Sequence, residues 1–324
     1  MISKEVAAVL ALRVYEQGVN PLLNLPFEPQ DWIKIDPNPL PVTAGFAYGV
    51  FRNTVTNEVV ISYRGTDGAV GMMGADGASN LGLTLGQGTS QSTQAAKVYV
   101  KVLELYGSDT NGSNISFTGH SLGGGLAGLM SVWFNRPAIV FDPAPFQLAA
   151  LFPGTVNDLI NVLGGATPLA LLNYQVNIIG SFASREAAVA SHFALGEFLS
   201  VTRSTANTIY GTNTPYTFGN QNVGAFAMHS QALLVAGILS PAFMQATVTV
   251  QSSLPIIMSG TFYSKEPDGS TERNFVLDLI RSEQTTPNDS KLDNFAEDLQ
   301  KLGTNLAGLS AKRSEERRVG KECA

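Results

Sequence analysis

Apolar and polar positions alternate with two different periods along this chain, and the periods mark out its elements. Residues Ile2 to Glu16 carry Val6, Val9, Leu10 and Val14 at helical spacing, which predicts an amphipathic helix. From Pro21 to Pro41 prolines recur and the spacing is lost, so an irregular surface connector is expected. Phe46–Phe51 and Glu58–Tyr63 read as two strands joined by a turn over Asn53–Asn57. Ser92 to Tyr106 is again helical in period. Ile115–Phe117 and Ala138–Phe141 are short, largely apolar runs of the kind that fill buried strands, and a helix of small residues separates them. Gly154–Thr167 reads as helix or loop, Tyr174–Ile179 and His192–Phe198 as strands, and the Thr-, Asn- and Gly-rich stretch 202–222 as a long loop. Met228–Leu239 is helical and stops at Ser240-Pro241. Strands alternating with helices in this order imply a mostly parallel sheet with helices on both faces.

Beyond Pro241 the alternation ends. Ala242–Met258 is mixed, Pro267-Asp268-Gly269 is a turn, and Thr271–Arg281 and Ser290–Leu302 are helical, the second with Ser290 as its N-cap and Asp293 three positions on. The expected organisation is therefore an α/β catalytic domain over residues 1–240 and a helical extension over 241–312.

One stretch stands out from the periodic background. In Ile115-Ser116-Phe117-Thr118-Gly119-His120-Ser121-Leu122-Gly123-Gly124-Gly125-Leu126-Ala127 an apolar strand runs into Gly-x-Ser-x-Gly and then into a small-residue helix. A serine at the tip of such a turn sits in a strained backbone, and side chains two positions either side would collide, so glycine stands there. A second glycine-dense stretch lies between Gly65 and Gly88, with five glycines (65, 68, 71, 74 and 77) at every third position. It has neither the Lys-Ser/Thr of a phosphate loop nor a dinucleotide fingerprint. It reads as a flexible loop, or as a lid whose Met72, Met73, Leu81, Leu83 and Leu85 offer an apolar rim.

Composition narrows the classes. With 44% hydrophobic and 14% charged residues the chain can bury a sizeable core. No segment reaches the apolar length of a membrane span. The net charge of −6 gives no electrostatic footprint for nucleic acid and suits a neutral or lipid-derived substrate. The last residues, Arg313-Ser314-Glu315-Glu316-Arg317-Arg318-Val319-Gly320-Lys321-Glu322-Cys323, resemble the in-frame translation of a sequencing adapter. Residues 313–324 are accordingly expected to be an artefactual tail, with the helical extension cut off at Lys312. That tail carries the single cysteine, which leaves no disulfide framework or thiol chemistry. The absence of a basic leader and cleavage site at the start excludes a secretory signal peptide, so the expectation is a cytoplasmic protein or one secreted without an N-terminal signal.

Together with Val59-Val60-Ile61-Ser62-Tyr63-Arg64-Gly65-Thr66, the segment Gly119-His120-Ser121-Leu122-Gly123-Gly124 resembles the class 3 (fungal-type) lipases of the α/β-hydrolase superfamily, over roughly residues 40–240. The resemblance implies an α/β-hydrolase fold and a nucleophilic serine, Ser121. A serine hydroxyl needs a base, and the base needs an orienting group. Three histidines are available. His120 lies inside the elbow with its side chain directed away from Ser121. His192 sits in a strand, where a structural histidine is the ordinary case. His229 heads a helix late in the chain, where the order Ser…acid…His of the fold places the base. Two acids compete to orient it. Glu197 occupies the place after the penultimate strand where the resembled family carries its acid, although that family uses Asp. Asp142 directly follows the strand after the elbow helix. Asp158 reads as a helix-surface charge. The backbone N–H of Leu122 supplies one oxyanion donor, and the resemblance assigns the second to Thr66. No His/Cys/Asp cluster with metal-ligand spacing appears, and no cofactor is expected.

The reading from sequence is thus a serine hydrolase of carboxylic esters, foremost a lipase acting on triacylglycerol or a related lipid ester, in transient contact with a lipid interface. A phospholipase or acyltransferase effector is the alternative within acyl chemistry. A non-catalytic binding module on the same fold is the alternative outside it.

Overall fold

The computed structural model describes residues 2–17, 25, 28–35, 45–65, 90–164, 168–200, 211–219, 223–250, 253–257, 263–265, 272–285 and 290–322. Seven strands hydrogen-bond in the order in which the chain makes them: β1 (Trp32–Ile35), β2 (Tyr48–Asn53), β3 (Val59–Tyr63), β4 (Ile115–His120), β5 (Ala138–Phe141), β6 (Val189–Ala194) and β7 (Thr212–Tyr216). The first three pair antiparallel, and β3 through β7 are parallel. This is the α/β arrangement that the strand–helix alternation implies.

The central strands are buried on both faces, which is why β5 is apolar at every position and why the few polar side chains of β3 and β4 are buried ones. Successive residues of β3 point to opposite sides. Val59, Ile61 and Tyr63 join one apolar cluster, and Val60 joins the other. The first cluster is built with α2 (Ser90–Tyr106), α3 (Leu122–Phe134), α4 (Gln147–Leu151), α5 (Pro153–Val162) and α6 (Pro168–Glu186). The second is built with α1 (Lys4–Arg13) and, after the short α7 (Ala225–Met228), with α8 (Gln231–Leu239). Buried polar side chains fix α1 on the sheet. The Ser62 hydroxyl donates to the Leu10 carbonyl at 3.1 Å, and Gln231 of α8 donates to the Ala8 carbonyl at 3.2 Å. Fully buried Leu10 and Leu12 each add roughly 1.5–3 kcal/mol of burial energy to this packing.

Several elements differ from the sequence reading. The proline-rich connector contains β1, whose register on β2 runs from Trp32↔Asn53 to Ile35↔Val50. The alternation at Tyr174–Ile179 is not a strand but the middle of α6; Ile178 is buried while Val176 and Ile179 are exposed, a helical rather than a strand pattern. The strand expected at 192–198 is β6, ending at Ala194, and Gly196 at φ 82° turns the chain. The stretch read as a loop over 202–222 contains β7, an edge strand among the described residues, where Pro215 costs no interior ladder bond. The helix expected over 228–239 breaks at His229 and Ser230. Ser230 caps α8, accepting from the Leu233 N–H at 3.5 Å.

The mixed segment after residue 241 folds as α9 (Pro241–Thr249) and α10 (Ser253–Ile257), and a two-stranded ribbon of β8 (Tyr263–Lys265) and β9 (Glu272–Asn274) precedes α11 (Phe275–Thr285) and α12 (Lys291–Glu322). Ser290 caps α12 through Asp293 N–H at 3.1 Å. Ser240 caps α9 through Phe243 N–H at 2.9 Å and donates to Asp293 at 2.5 Å, tying the two helices together. Phe243, Val276, Ile280, Leu292, Ala296 and Leu299 share the apolar cluster of α1 and α8. The α12 residues from Gln300 to Asn305 are exposed or half-buried. Among the described residues no single helix is long and apolar enough to cross a membrane.

Candidate active site

The elbow is where local sequence dictates geometry most directly. Ser121 lies between β4 and α3 at φ 58°, ψ −126°, a conformation costly for a residue with a side chain. Its backbone is held from both sides: Ser121 N–H donates to the Phe141 carbonyl at 2.9 Å, and its own carbonyl accepts from Ala144 N–H at 2.9 Å and Gly125 N–H at 3.0 Å. A Cβ on Gly119 would stand 2.4 Å from the Gly123 carbonyl oxygen, and one on Gly123 would stand 2.0 Å from the Tyr63 carbonyl oxygen. The glycines are therefore required by the approach of three backbones. Leu122 begins α3, so its N–H has no acceptor within the helix and is free to face charge. Gly65, at the end of the segment after β3, passes beside the elbow, where a Cβ would meet the Ser121 Cβ at 3.0 Å. Thr66 and the glycine-rich stretch 66–89 lie outside the described residues.

The structure pairs His229 with Glu197. His229 Nδ1 stands 2.6 Å from Glu197 Oε2, which also accepts the Leu199 N–H at 2.8 Å. Glu197 is 1% exposed, on the turn that leaves β6. The His229 ring packs edge-on against Phe198 with centroids 4.4 Å apart. An ionised carboxylate can only accept, so Nδ1 carries the proton and Nε2 is left with its lone pair. His229 Nε2 is buried and has no hydrogen-bond partner among the described residues.

Asp142 goes elsewhere. It follows β5 at φ 40°, fully buried, with its N–H donating to the His192 carbonyl at 2.8 Å and its Oδ1 accepting the Ala194 N–H at 2.9 Å. Its Oδ2 faces His120 Nε2 at 3.7 Å, beyond hydrogen-bond length. His120 in turn meets the Tyr15 hydroxyl through Nδ1 at 2.9 Å, and its ring centroid lies 4.6 Å from that of His229. Burial holds the His120 imidazole below the usual histidine range, with Asp142 acting in the opposite direction.

His192 stands apart, within β6. It contacts the Tyr216 hydroxyl at 3.2 Å and stacks on Phe141. Burial, aided by the Lys4 charge, lowers it to about 4. Asp158 is an exposed charge on α5. What sequence reasoning missed is the neighbourhood of His120. Spacing shows no metal motif, yet the fold brings one donor atom each of His120, Asp142 and His229 within 4.8 Å of one another.

With this geometry in place, comparison with known families adds one likeness. Residues 8–153 match the family described as phospholipase-like, the Tle-like phospholipase domain. No curated protein matches the chain. The matched segment takes in the elbow and Asp142 and ends before Glu197 and His229. It is a likeness to lipid-ester hydrolases of the lipase and phospholipase type, without pointing to the class 3 lipases in particular.

Proposed function

We propose that this protein hydrolyses the carboxylic esters of glycerophospholipids through an acyl-serine intermediate. The observation that carries the reading is the pairing of buried Glu197 with half-buried His229, 2.6 Å apart, in the chain order expected after an elbow serine held at positive φ. The phospholipase preference over triacylglycerol rests on the family likeness of residues 8–153.

On this reading His229 Nε2 takes the proton of Ser121 Oγ as that oxygen attacks the ester carbonyl carbon. The C–O bond to the glycerol backbone breaks, and the imidazolium returns the proton to the departing alkoxide. Water then repeats the sequence, regenerating the serine and releasing the fatty acid. Glu197 keeps the proton on Nδ1 and stabilises the imidazolium. The Leu122 N–H meets the oxyanion, and the resemblance to the class 3 lipases assigns Thr66 as the second donor, each worth roughly 3 kcal/mol.

The test is product analysis with the purified chain on phosphatidyl lipids and on triacylglycerol, alongside labelling by a fluorophosphonate probe. Free fatty acid and lysolipid from phospholipid, lost together with labelling in Ser121→Ala, are the expected results. Release from triacylglycerol alone returns the reading to a neutral-lipid lipase, and transfer of the acyl group to an alcohol makes it an acyltransferase. A Ser121→Ala variant that still turns over ester, or a wild-type chain that never labels, overturns the serine mechanism.

A further inference from the structure

Three buried polar atoms beside the elbow have no hydrogen-bond partner among the described residues, His120 Nε2, Asp142 Oδ2 and His229 Nε2, and one donor atom of each of these residues lies within 4.8 Å of the others. Leaving such atoms unpaired costs about 1–3 kcal/mol each. They come from three rigid places, the end of β4, the turn after β5 and the break between α7 and α8, and the other polar atom of each residue is already engaged. His120 Nδ1 is on the Tyr15 hydroxyl at 2.9 Å, Asp142 Oδ1 on the Ala194 N–H at 2.9 Å, and His229 Nδ1 on Glu197 at 2.6 Å.

This is how metal-binding imidazoles are prepared. An outer acceptor on Nδ1, as Glu197 is for His229, fixes ring and tautomer and turns the Nε2 lone pair toward the ion, and the Tyr15 hydroxyl, able to accept, serves His120 in the same way when the ion binds. The Asp142 carboxylate is 0% exposed, and among the described residues its partners are Ala194 N–H and His120, with no lysine or arginine. A buried negative charge with only a histidine opposite it favours a cation. His120 Nε2 and Asp142 Oδ2 stand 3.7 Å apart, and a tetrahedral ion with bonds of about 2.1 Å holds its ligands about 3.4 Å apart. One donor atom from each of the three residues lies within 4.8 Å of the others, a spread that side-chain rotation of the kind metal binding drives can close. Two imidazoles and one carboxylate suit zinc or a neighbouring divalent transition metal rather than magnesium or calcium.

We propose that His120, Asp142 and His229 form a site for a borderline divalent cation such as Zn²⁺, and that its occupancy silences the enzyme by taking the His229 lone pair on which Ser121 depends. The inhibitory half rests on the function proposed above; the binding half stands without it.

The experiment uses the full chain stripped with a chelator. Co²⁺ titration is expected to raise visible ligand-field bands that saturate at a single ion per chain and disappear on adding Zn²⁺. His120→Gln and Asp142→Asn each weaken Co²⁺ binding by about 10–100-fold or more, since even outer partners of metal ligands contribute that much. Zn²⁺ slows fluorophosphonate labelling of Ser121 in the wild type, chelator restores it, and Asp142→Asn labels at its own rate without responding to zinc. No bands at millimolar Co²⁺ in the wild type, or unchanged affinity in both folded variants, overturns the site. Because the wild-type titration decides first, a variant that fails to fold does not protect the proposal. Binding without any effect on labelling overturns the inhibitory half. A serine that never labels, with or without metal, counts against the hydrolase reading, and the cobalt titration still decides the site.

Discussion

Exchanging Glu197 for glutamine is the sharpest probe of the Glu197–His229 pair. Glu197 Oε2 accepts two hydrogen bonds, from His229 Nδ1 at 2.6 Å and from Leu199 N–H at 2.8 Å, with 1% of the residue exposed. An amide nitrogen in that place would face two donors and accept from neither. The glutamine therefore turns its carbonyl oxygen inward, or the imidazole adopts the tautomer that leaves Nε2 protonated. In the first case two charge-assisted bonds become neutral ones at about 1–1.5 kcal/mol each, a loss of roughly 2–3 kcal/mol. At 1.36 kcal/mol per decade this is about a hundredfold in rate. In the second case the base is absent, and the loss approaches about 10⁴-fold in kcat. Glu197→Gln is thus expected to fall between these limits in kcat/KM on a short chromogenic ester, with its melting temperature measured alongside. Asp142→Asn is the comparison. The asparagine can keep its carbonyl on Ala194 N–H and donate its amide to His120, so its loss should be at least about tenfold smaller. Glu197→Gln retaining activity within about tenfold of wild type, or Asp142→Asn being the more damaging, refutes the assignment of Glu197.

Gly123→Ala puts a methyl 2.0 Å from the Tyr63 carbonyl oxygen, where only backbone can yield. Overpacking of this kind costs about 1–3 kcal/mol or more, so calorimetry should show a drop of several degrees with loss of labelling, and an unchanged Tm would contradict the packing. Ser240→Ala removes both the Phe243 N–H cap and the 2.5 Å bond to Asp293. It should cost about 1–2 kcal/mol in denaturant unfolding. Acidification should weaken the fold through His192, which is held near 4 while an unfolded histidine titrates near 6.5. Between those values the unfolded chain binds the extra proton, so stability falls as pH drops from about 6.5 to 4 and is level above that window. His192→Gln should flatten that slope in urea titrations at stepped pH, and an unaltered slope would assign it to another group.

The parts of the fold that could be read from sequence are those whose pattern the sheet enforces locally. β3 and β4 are buried at every position because helices cover both their faces, and their apolar residues, Val59, Val60, Ile61, Ile115 and Phe117, carry that signal in sequence. Edge strands carry no comparable signal. β1 shows only Trp32 buried along its length, and β7 contains a proline and mostly polar residues, so each exists because its neighbour offers a free ladder of hydrogen bonds. The apparent strand at Tyr174–Ile179 is the converse case. Six residues of alternation are compatible with either period, and only the 19-residue helix around them decides.

The site divides along the same physical line. The elbow could be read because part of its constraint is short-range, a Cβ on Gly119 meeting the Gly123 carbonyl four residues on, while the distant part, Tyr63 against Gly123, calls for a glycine at the same motif position. The place of Glu197 came from a resemblance in chain order, not from any pattern around it, since nothing in Leu195-Gly196-Glu197 marks a carboxylate that will be buried. His120 shows the limit most plainly. Its neighbours in sequence give an expectation, a side chain turned away from Ser121, but not what that side chain meets, because Tyr15 lies 105 residues before it and Asp142 follows the next strand. A backbone held at φ 40° is what turns the Asp142 carboxylate toward His120, and that strain, of about 1–3 kcal/mol, persists only where surrounding structure over-determines it. The surrounding structure does so here through Ala194 N–H and the His192 carbonyl, two bonds spent on aiming one carboxylate. The Asp142 carboxylate is thus held 3.7 Å from an imidazole it does not hydrogen-bond, the spacing on which the proposed cation site rests, which is why the cobalt titration and the Glu197→Gln kinetics together test the whole site.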